Sequence, residues 1–136
     1  MMQISELRRV LLLSTGEPEI LALREMLEDR VHLTTARNLQ EMVSLLDDCE
    51  FDALLCDWQL GQANWRHALA AVRETDPDLP TIVLCPTAEE YEWLEALEGG
   101  AFDLLAAPWH QSSLLVVLEH AFASRDGRIL RAMGVN

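Results

Sequence analysis

An α/β fold, a single doubly wound (βα)5 domain around a five-stranded parallel sheet, is what the amino-acid sequence predicts, and three observations predict it. Five short apolar runs alternate with five longer segments whose apolar residues recur three or four apart, the spacing of amphipathic helices. The runs Leu11-Leu12-Leu13 and Ile82-Val83-Leu84 are continuous rather than alternating, as strands covered by helices on both faces must be. The chain has 136 residues, half of them hydrophobic, which is enough for one core and too little for two. Right-handed crossovers then wind the helices onto both faces, and ligand chemistry collects at the C-terminal edge of the strands.

Each element has its own local reason. The first run, residues 10–13, is followed by a helix predicted over 17–28, with Pro18 in the first turn, where its missing N–H costs nothing. The second run is 31–34; Asn38 then caps a helix over 39–48. The third run is 53–56, followed by a helix over 63–75 that Asp76-Pro77-Asp78-Leu79-Pro80 terminates. The fourth run is 81–84, with a helix over 88–98 closed by Gly99-Gly100. The fifth run is 102–105, with a last helix over 112–123. The domain is predicted over residues 1–124, and residues 125–136 are expected as a tail: a frayed helix or the start of a linker.

Charge and composition exclude several functions. The net charge is −13, from 23 acidic against 10 cationic residues, so direct binding to nucleic acid or to an anionic membrane is not expected. All ten cations are arginine; without a lysine, lysine-dependent chemistry is impossible. Cys49, Cys56 and Cys85 have no C-x-x-C spacing and read as reduced, buried thiols rather than a disulfide or zinc site. No two of His32, His67, His110 and His120 stand three or four apart, so no metal site is assigned. Neither a G-x-G-x-x-G nor a Walker motif occurs. No signal peptide or membrane span is apparent, and a cytoplasmic, non-enzymatic protein without cofactor is expected.

Four stretches carry a family likeness. They are Glu17-Pro18-Glu19-Ile20; Phe51-Asp52-Ala53-Leu54-Leu55-Cys56-Asp57; Asp76 through Leu84; and Leu97-Glu98-Gly99-Gly100-Ala101-Phe102 running on to Pro108-Trp109. In this order and spacing the chain, over residues 8–124, resembles the receiver domain of two-component response regulators, a CheY-like fold related to flavodoxin with strand order 2-1-3-4-5. The resemblance implies a phosphoryl switch. An Asp ending the third strand accepts phosphate from a histidine kinase, two acidic residues after the first strand hold Mg²⁺, and a Thr or Ser and a Lys grip the phosphoryl group.

Carried over residue by residue, the resemblance makes Asp57 the phosphoacceptor equivalent, although a strand-terminal Asp capping a loop is the plainer reading of that residue. The acidic pair falls on Ser14-Thr15 or Thr15-Gly16, the switch hydroxyl on Cys85, the lysine on Ala107, the aromatic switch residue on Leu104, and a usual proline on Gly61. The nearest acid to the pair, Glu17, reads as a charge that suits a helix N-terminus rather than as a metal ligand. A phosphoryl group on Asp57 would thus lack several charge-assisted contacts of roughly 1.5–3 kcal/mol each. The expectation is a degenerate, or pseudo-receiver, domain that signals through protein contacts without Mg²⁺-dependent phosphorylation. The alternatives are a receiver still slowly phosphorylated on Asp57, and an FMN or small-ligand carrier in which Ser14-Thr15-Gly16 form a phosphate turn, against which Glu17 and Glu19 would act.

Large aromatics are scarce here, so each one counts. Trp58 and Trp65 bracket the loop after Asp57, with local core burial the default for Trp65. Trp93 and Trp109 are expected as apolar anchors of an interface on the face of the fourth helix, fifth strand and fifth helix, with Glu89, Glu92 and His120 as its polar rim. The partner would be a second copy or another protein.

Overall fold

A computed structural model describes residues 7–134 apart from residue 88. In chain order the elements are β1 (Arg9–Leu13), α1 (Glu17–Leu27), β2 (His32–Ala36), α2 (Leu39–Asp48), β3 (Ala53–Asp57), β4 (Gln59–Leu60), β5 (Ala63–Asn64), α3 (Trp65–Thr75), β6 (Thr81–Cys85), α4 (Glu90–Glu98), β7 (Asp103–Ala106) and α5 (Gln111–Ala132). Five of the strands form one parallel sheet in the order β2-β1-β3-β6-β7. With the two-residue strands β4 and β5 set aside, that is the expected 2-1-3-4-5.

The continuous apolar runs lie where their composition requires. Leu11, Leu12 and Leu13 of β1 and every residue of β3 and β6 are buried, because these strands are covered on both faces. Side chains alternate across the sheet. Leu11, Leu13, Leu54, Cys56, Val83 and Cys85 face α2, α3 and α4, while Leu12, Leu55, Ile82 and Leu84 face α1 and α5. A buried leucine contributes roughly 1.5–3 kcal/mol, so these two half-cores are the main favourable term.

Caps set the helix starts. Asn38 Oδ1 accepts from the Glu41 N–H at 2.8 Å, and Asn64 Oδ1 accepts from the Arg66 N–H at 2.9 Å while His67 Nδ1 accepts from the Asn64 N–H at 3.1 Å. That second cap corrects the predicted start of α3 from 63 to Trp65, since residues 59–64 form an antiparallel hairpin turning at Gly61, whose φ of +63° suits glycine. The predicted start of the fourth helix, residue 88, lies outside the described residues.

The largest difference is at the other end. The helix expected to stop at 123 continues to Ala132, so 125–132 are helical. Arg125 is 5% exposed and ion-paired with Asp76 at 2.9 Å, and Arg8 holds Asp126 at 2.6 Å. Asp126 and Gly127 are poor helix formers, and these long-range pairs override them.

Candidate functional site

The site forms where the C-terminal ends of β1, β3, β6 and β7 meet. Parallel pairing aligns Leu13 with Cys56 and Asp57 with Leu84, which brings the loop after β1 and the loop after β6 to either side of the Asp57 carboxylate. The Trp58 N–H donates to the Leu84 carbonyl at 2.8 Å and the Ala107 N–H to the Cys85 carbonyl at 2.9 Å, fixing these loop bases.

Asp57 is 7% exposed. The Ser14 hydroxyl donates to its Oδ2 at 2.6 Å and itself accepts from the Gly16 N–H at 3.2 Å, so a short relay joins the first loop to the carboxylate. Oδ1 is buried without a hydrogen-bond partner. Burial therefore pushes the Asp57 carboxyl up to about 7; the Ser14 hydroxyl opposes the rise, the neighbouring Glu19 carboxyl adds to it, and the Thr15 amide opposes it.

The positions around Asp57 hold few of the expected ligands. Ser14 is buried, and Thr15 is exposed. Glu17 is ion-paired to Arg37 on the surface, as its helix-end reading requires, and Glu19, three residues past the Gly16 cap, is the acid that reaches Asp57. Sequence reasoning did not select Glu19 as a site residue, because only the turn of the first loop brings it there. The Cys85 thiol lies within hydrogen-bond distance of the Thr87 carbonyl at 2.6 Å and of Glu92 Oε2 at 3.2 Å, its single S–H serving one of them at a time. Burial is the main cause that pushes this thiol up to about 11, and burial with the Asp57 charge raises Cys56 still further, so neither thiol is a ready thiolate. Leu104 is buried in the core.

The expected interface residues divide. Trp93 is 43% exposed on α4 beside exposed Tyr91 and Leu94, its indole donating to Asp103 Oδ1 at 3.4 Å. Glu89 and His120 are exposed. Glu92 is not a rim residue: it is 9% exposed, accepting from the Glu89 N–H at 3.2 Å and from Cys85, because the start of α4 needs an acceptor there. Trp109 is half-buried against the α1–α5 half-core, with its indole donating to the Leu105 carbonyl at 3.4 Å. Trp65 is buried, as its default reading has it, and Trp58 stacks near it at 5.6 Å.

A scan against family models matches residues 17–119 to the response regulator receiver domain. The chain belongs to the response regulator receiver family. Among curated proteins it is similar to the response regulator protein PilR of Pseudomonas aeruginosa, 30% identical over 103 residues that cover 74% of this chain. The chain spans 23% of the length of that curated relative. Among solved structures it resembles the signal receiver domain of an HD domain-containing protein from Pseudomonas fluorescens Pf-5, with a TM-score of 0.79 and 23% identity over 90% of this chain and 99% of the other. It also resembles the beryllofluoride-activated NtrC4 receiver domain dimer, with a TM-score of 0.79 and 24% identity over 86% and 98% of the two chains. An adenylate cyclase structure from Rhodopirellula baltica reaches a TM-score of 0.84 at 17% identity, over 93% of this chain and 95% of the other. These structural likenesses establish the receiver fold, and the family match places the chain in two-component signalling.

Mg²⁺, which the family resemblance implies, is a hard cation that takes carboxylate, phosphate and water oxygens in octahedral array. The residues here fit that role poorly. Ser14, Thr15 and Gly16 offer no carboxylate after β1, one Asp57 oxygen already accepts from Ser14, and among the described residues no three His, Cys, Asp or Glu side chains form a ligand set. Among the described residues no helix is long and apolar enough to cross a membrane.

Proposed function

We propose that this receiver is a degenerate one, a non-enzymatic, cytoplasmic signalling module whose output is a protein contact that does not depend on Mg²⁺-assisted phosphorylation of Asp57. One observation carries the reading: the Ser14 hydroxyl, from the loop that would supply the acidic pair, is bonded to Asp57 Oδ2 at 2.6 Å. A hydroxyl there donates to the carboxylate and offers a metal no charge. The same reading accounts for Ala107 at the lysine position and for a Cys85 thiol committed to Glu92. A phosphoryl group would then meet no cation, and the switched state would lose the contacts that make it persist.

The contact surface we assign is the face of α4, β7 and α5, where Tyr91, Trp93, Leu94 and Val116 are exposed. A second copy or another protein would dock there, its basic residues steered by the acidic charge of α4. Neither nucleic acid nor membrane is a direct partner of a chain at −13. Light scattering of the parent and Asp57→Asn, each with and without acetyl phosphate and Mg²⁺, tests this: all four samples should show one association state. A change confined to the parent with acetyl phosphate would overturn it.

A second reading, slow phosphorylation of Asp57, is favoured by one feature: Oδ1 is without a hydrogen-bond partner and the Glu19 carboxyl is near enough to raise that of Asp57. Under that reading Glu19→Gln would abolish the phosphorylation; under ours there is none to abolish.

A further inference from the structure

At the N-terminal edge of the sheet, opposite Asp57, the fold forms a partly open cavity of about 260 Å³. Thr81 opens β6 there, Phe102 immediately precedes β7, and Pro77 and Leu79 come from the connection out of α3. Two arginines also line it: Arg73 from the last turn of α3, and Arg128 from the part of α5 beyond residue 123. No acidic residue lines it.

That composition is unexpected in a protein of this charge. Elsewhere four arginines are met by carboxylates, Arg8 by Asp52 and Asp126, Arg37 by Glu17, Arg66 by Glu95 and Arg125 by Asp76, while Arg9, Arg24, Arg30 and Arg131 have no ion pair among the described residues. Among the described residues neither Arg73 nor Arg128 is ion-paired, and Arg73 gives one N–H to the Gly99 carbonyl at 2.6 Å. The wall they share carries a third incomplete group, the buried Thr81 Oγ1, which has no hydrogen-bond partner. A buried hydroxyl without a partner is costly, and two guanidinium groups in a lining that holds no carboxylate suit an anion.

We propose that this cavity binds a small organic anion whose carboxylate or phosphate group is held by Arg73 and Arg128, with its short carbon skeleton against Phe102, Pro77 and Leu79. Guanidinium forks match both oxyanions. The volume lies just below the roughly 300 Å³ at which sites for drug-sized ligands begin, so the ligand is small. Because Arg128 belongs to the α5 extension, a bound anion also ties that extension to α3 and β6. The proposal rests on none of the residues around Asp57.

Amide ¹H–¹⁵N spectra of the full chain, titrated separately with inorganic phosphate, acetate and succinate at ionic strength held constant with sodium chloride, test it. At least one probe should give saturable shifts centred on Thr81, Gly100 and Phe102, and the probe that saturates identifies the oxyanion. Arg128→Gln should weaken that binding by about tenfold or more, the loss of one charge-assisted contact. Arg73→Gln also removes the bond to Gly99, so Arg128, which is exposed, is the deciding position. Three results would overturn the proposal: no saturation with any of the three anions, shifts centred on other arginines, or binding unchanged in Arg128→Gln.

Discussion

Replacing Asp57 by asparagine should make this protein more stable above neutral pH and leave it nearly unchanged in mild acid. In the folded state burial and Glu19 raise the Asp57 carboxyl from 3.8 to about 7, against the pull of Ser14. Between those two values the folded chain holds a proton that the unfolded chain releases. The contribution of this group to stability is therefore full below pH about 4, falls as pH rises through 7, and is lost above it. At about 1.36 kcal/mol per pH unit the ceiling is about 4 kcal/mol, which water near the rim of the site reduces to about 2 kcal/mol. Asparagine keeps an acceptor for the Ser14 hydroxyl and cannot ionise, so the cost disappears. Urea unfolding followed by tryptophan fluorescence at pH 4, 5, 6, 7 and 8 should show Asp57→Asn within about 0.5 kcal/mol of the parent at pH 4, the gap widening from pH 5, and more stable by about 1–2 kcal/mol at pH 8. A loss of several kcal/mol, or a difference that does not change with pH, would refute the reasoning by showing that the ionised carboxylate has a cationic partner.

Three further outcomes are expected. Asp76→Ala leaves the 5%-exposed Arg125 without its partner and should cost about 3 kcal/mol in urea unfolding, with faster amide exchange over 125–132; unchanged exchange there would mean that the ion pair does not anchor the extension of α5. Gly100→Ala should destabilise by more than about 1 kcal/mol in the same assay, because φ is +105° and the added Cβ would lie 2.0 Å from Arg73 Nη2; a neutral result would mean that the turn accommodates a side chain. Trp93→Ala should weaken association measured by light scattering with little loss of stability, whereas Trp109→Ala, packed on the α1–α5 half-core, should lower stability; the reverse pattern would move the interface away from α4.

Most of the fold was legible because its signals are local. Leu11-Leu12-Leu13 and Ile82-Val83-Leu84 announce strands buried on both sides, and Asn38 marks a helix start by its own hydrogen bond. The extension of α5 was legible only as one of two alternatives, a frayed helix or the start of a linker. Asp126 and Gly127 argue against helix locally, and what holds the segment is the pairing of Arg125 with Asp76 and of Asp126 with Arg8, far away in sequence. The hairpin of residues 59–64 is too short for a period-2 pattern to register.

At the site, Asp57 and the substituted positions around it were readable from the order of motifs, while the bond from Ser14 to Asp57 is seen only in the fold. Glu19 and Glu92 were harder to read. Both lie on acidic helix starts, where a solvated face or a favourable helix-end charge is the ordinary reading. One is carried toward Asp57 by the loop after β1, and the other is drawn inward by the Glu89 amide and the Cys85 thiol. Neither displacement has a periodicity to betray it.

Intact-mass measurement after incubation with acetyl phosphate and Mg²⁺ tests the central claim most directly. With Ser14 in place of a carboxylate, Ala107 in place of lysine and Cys85 turned to Glu92, the mass of the parent should be unchanged and equal in behaviour to that of Asp57→Asn. A clear gain of one phosphoryl group in the parent, absent from Asp57→Asn, would contradict it.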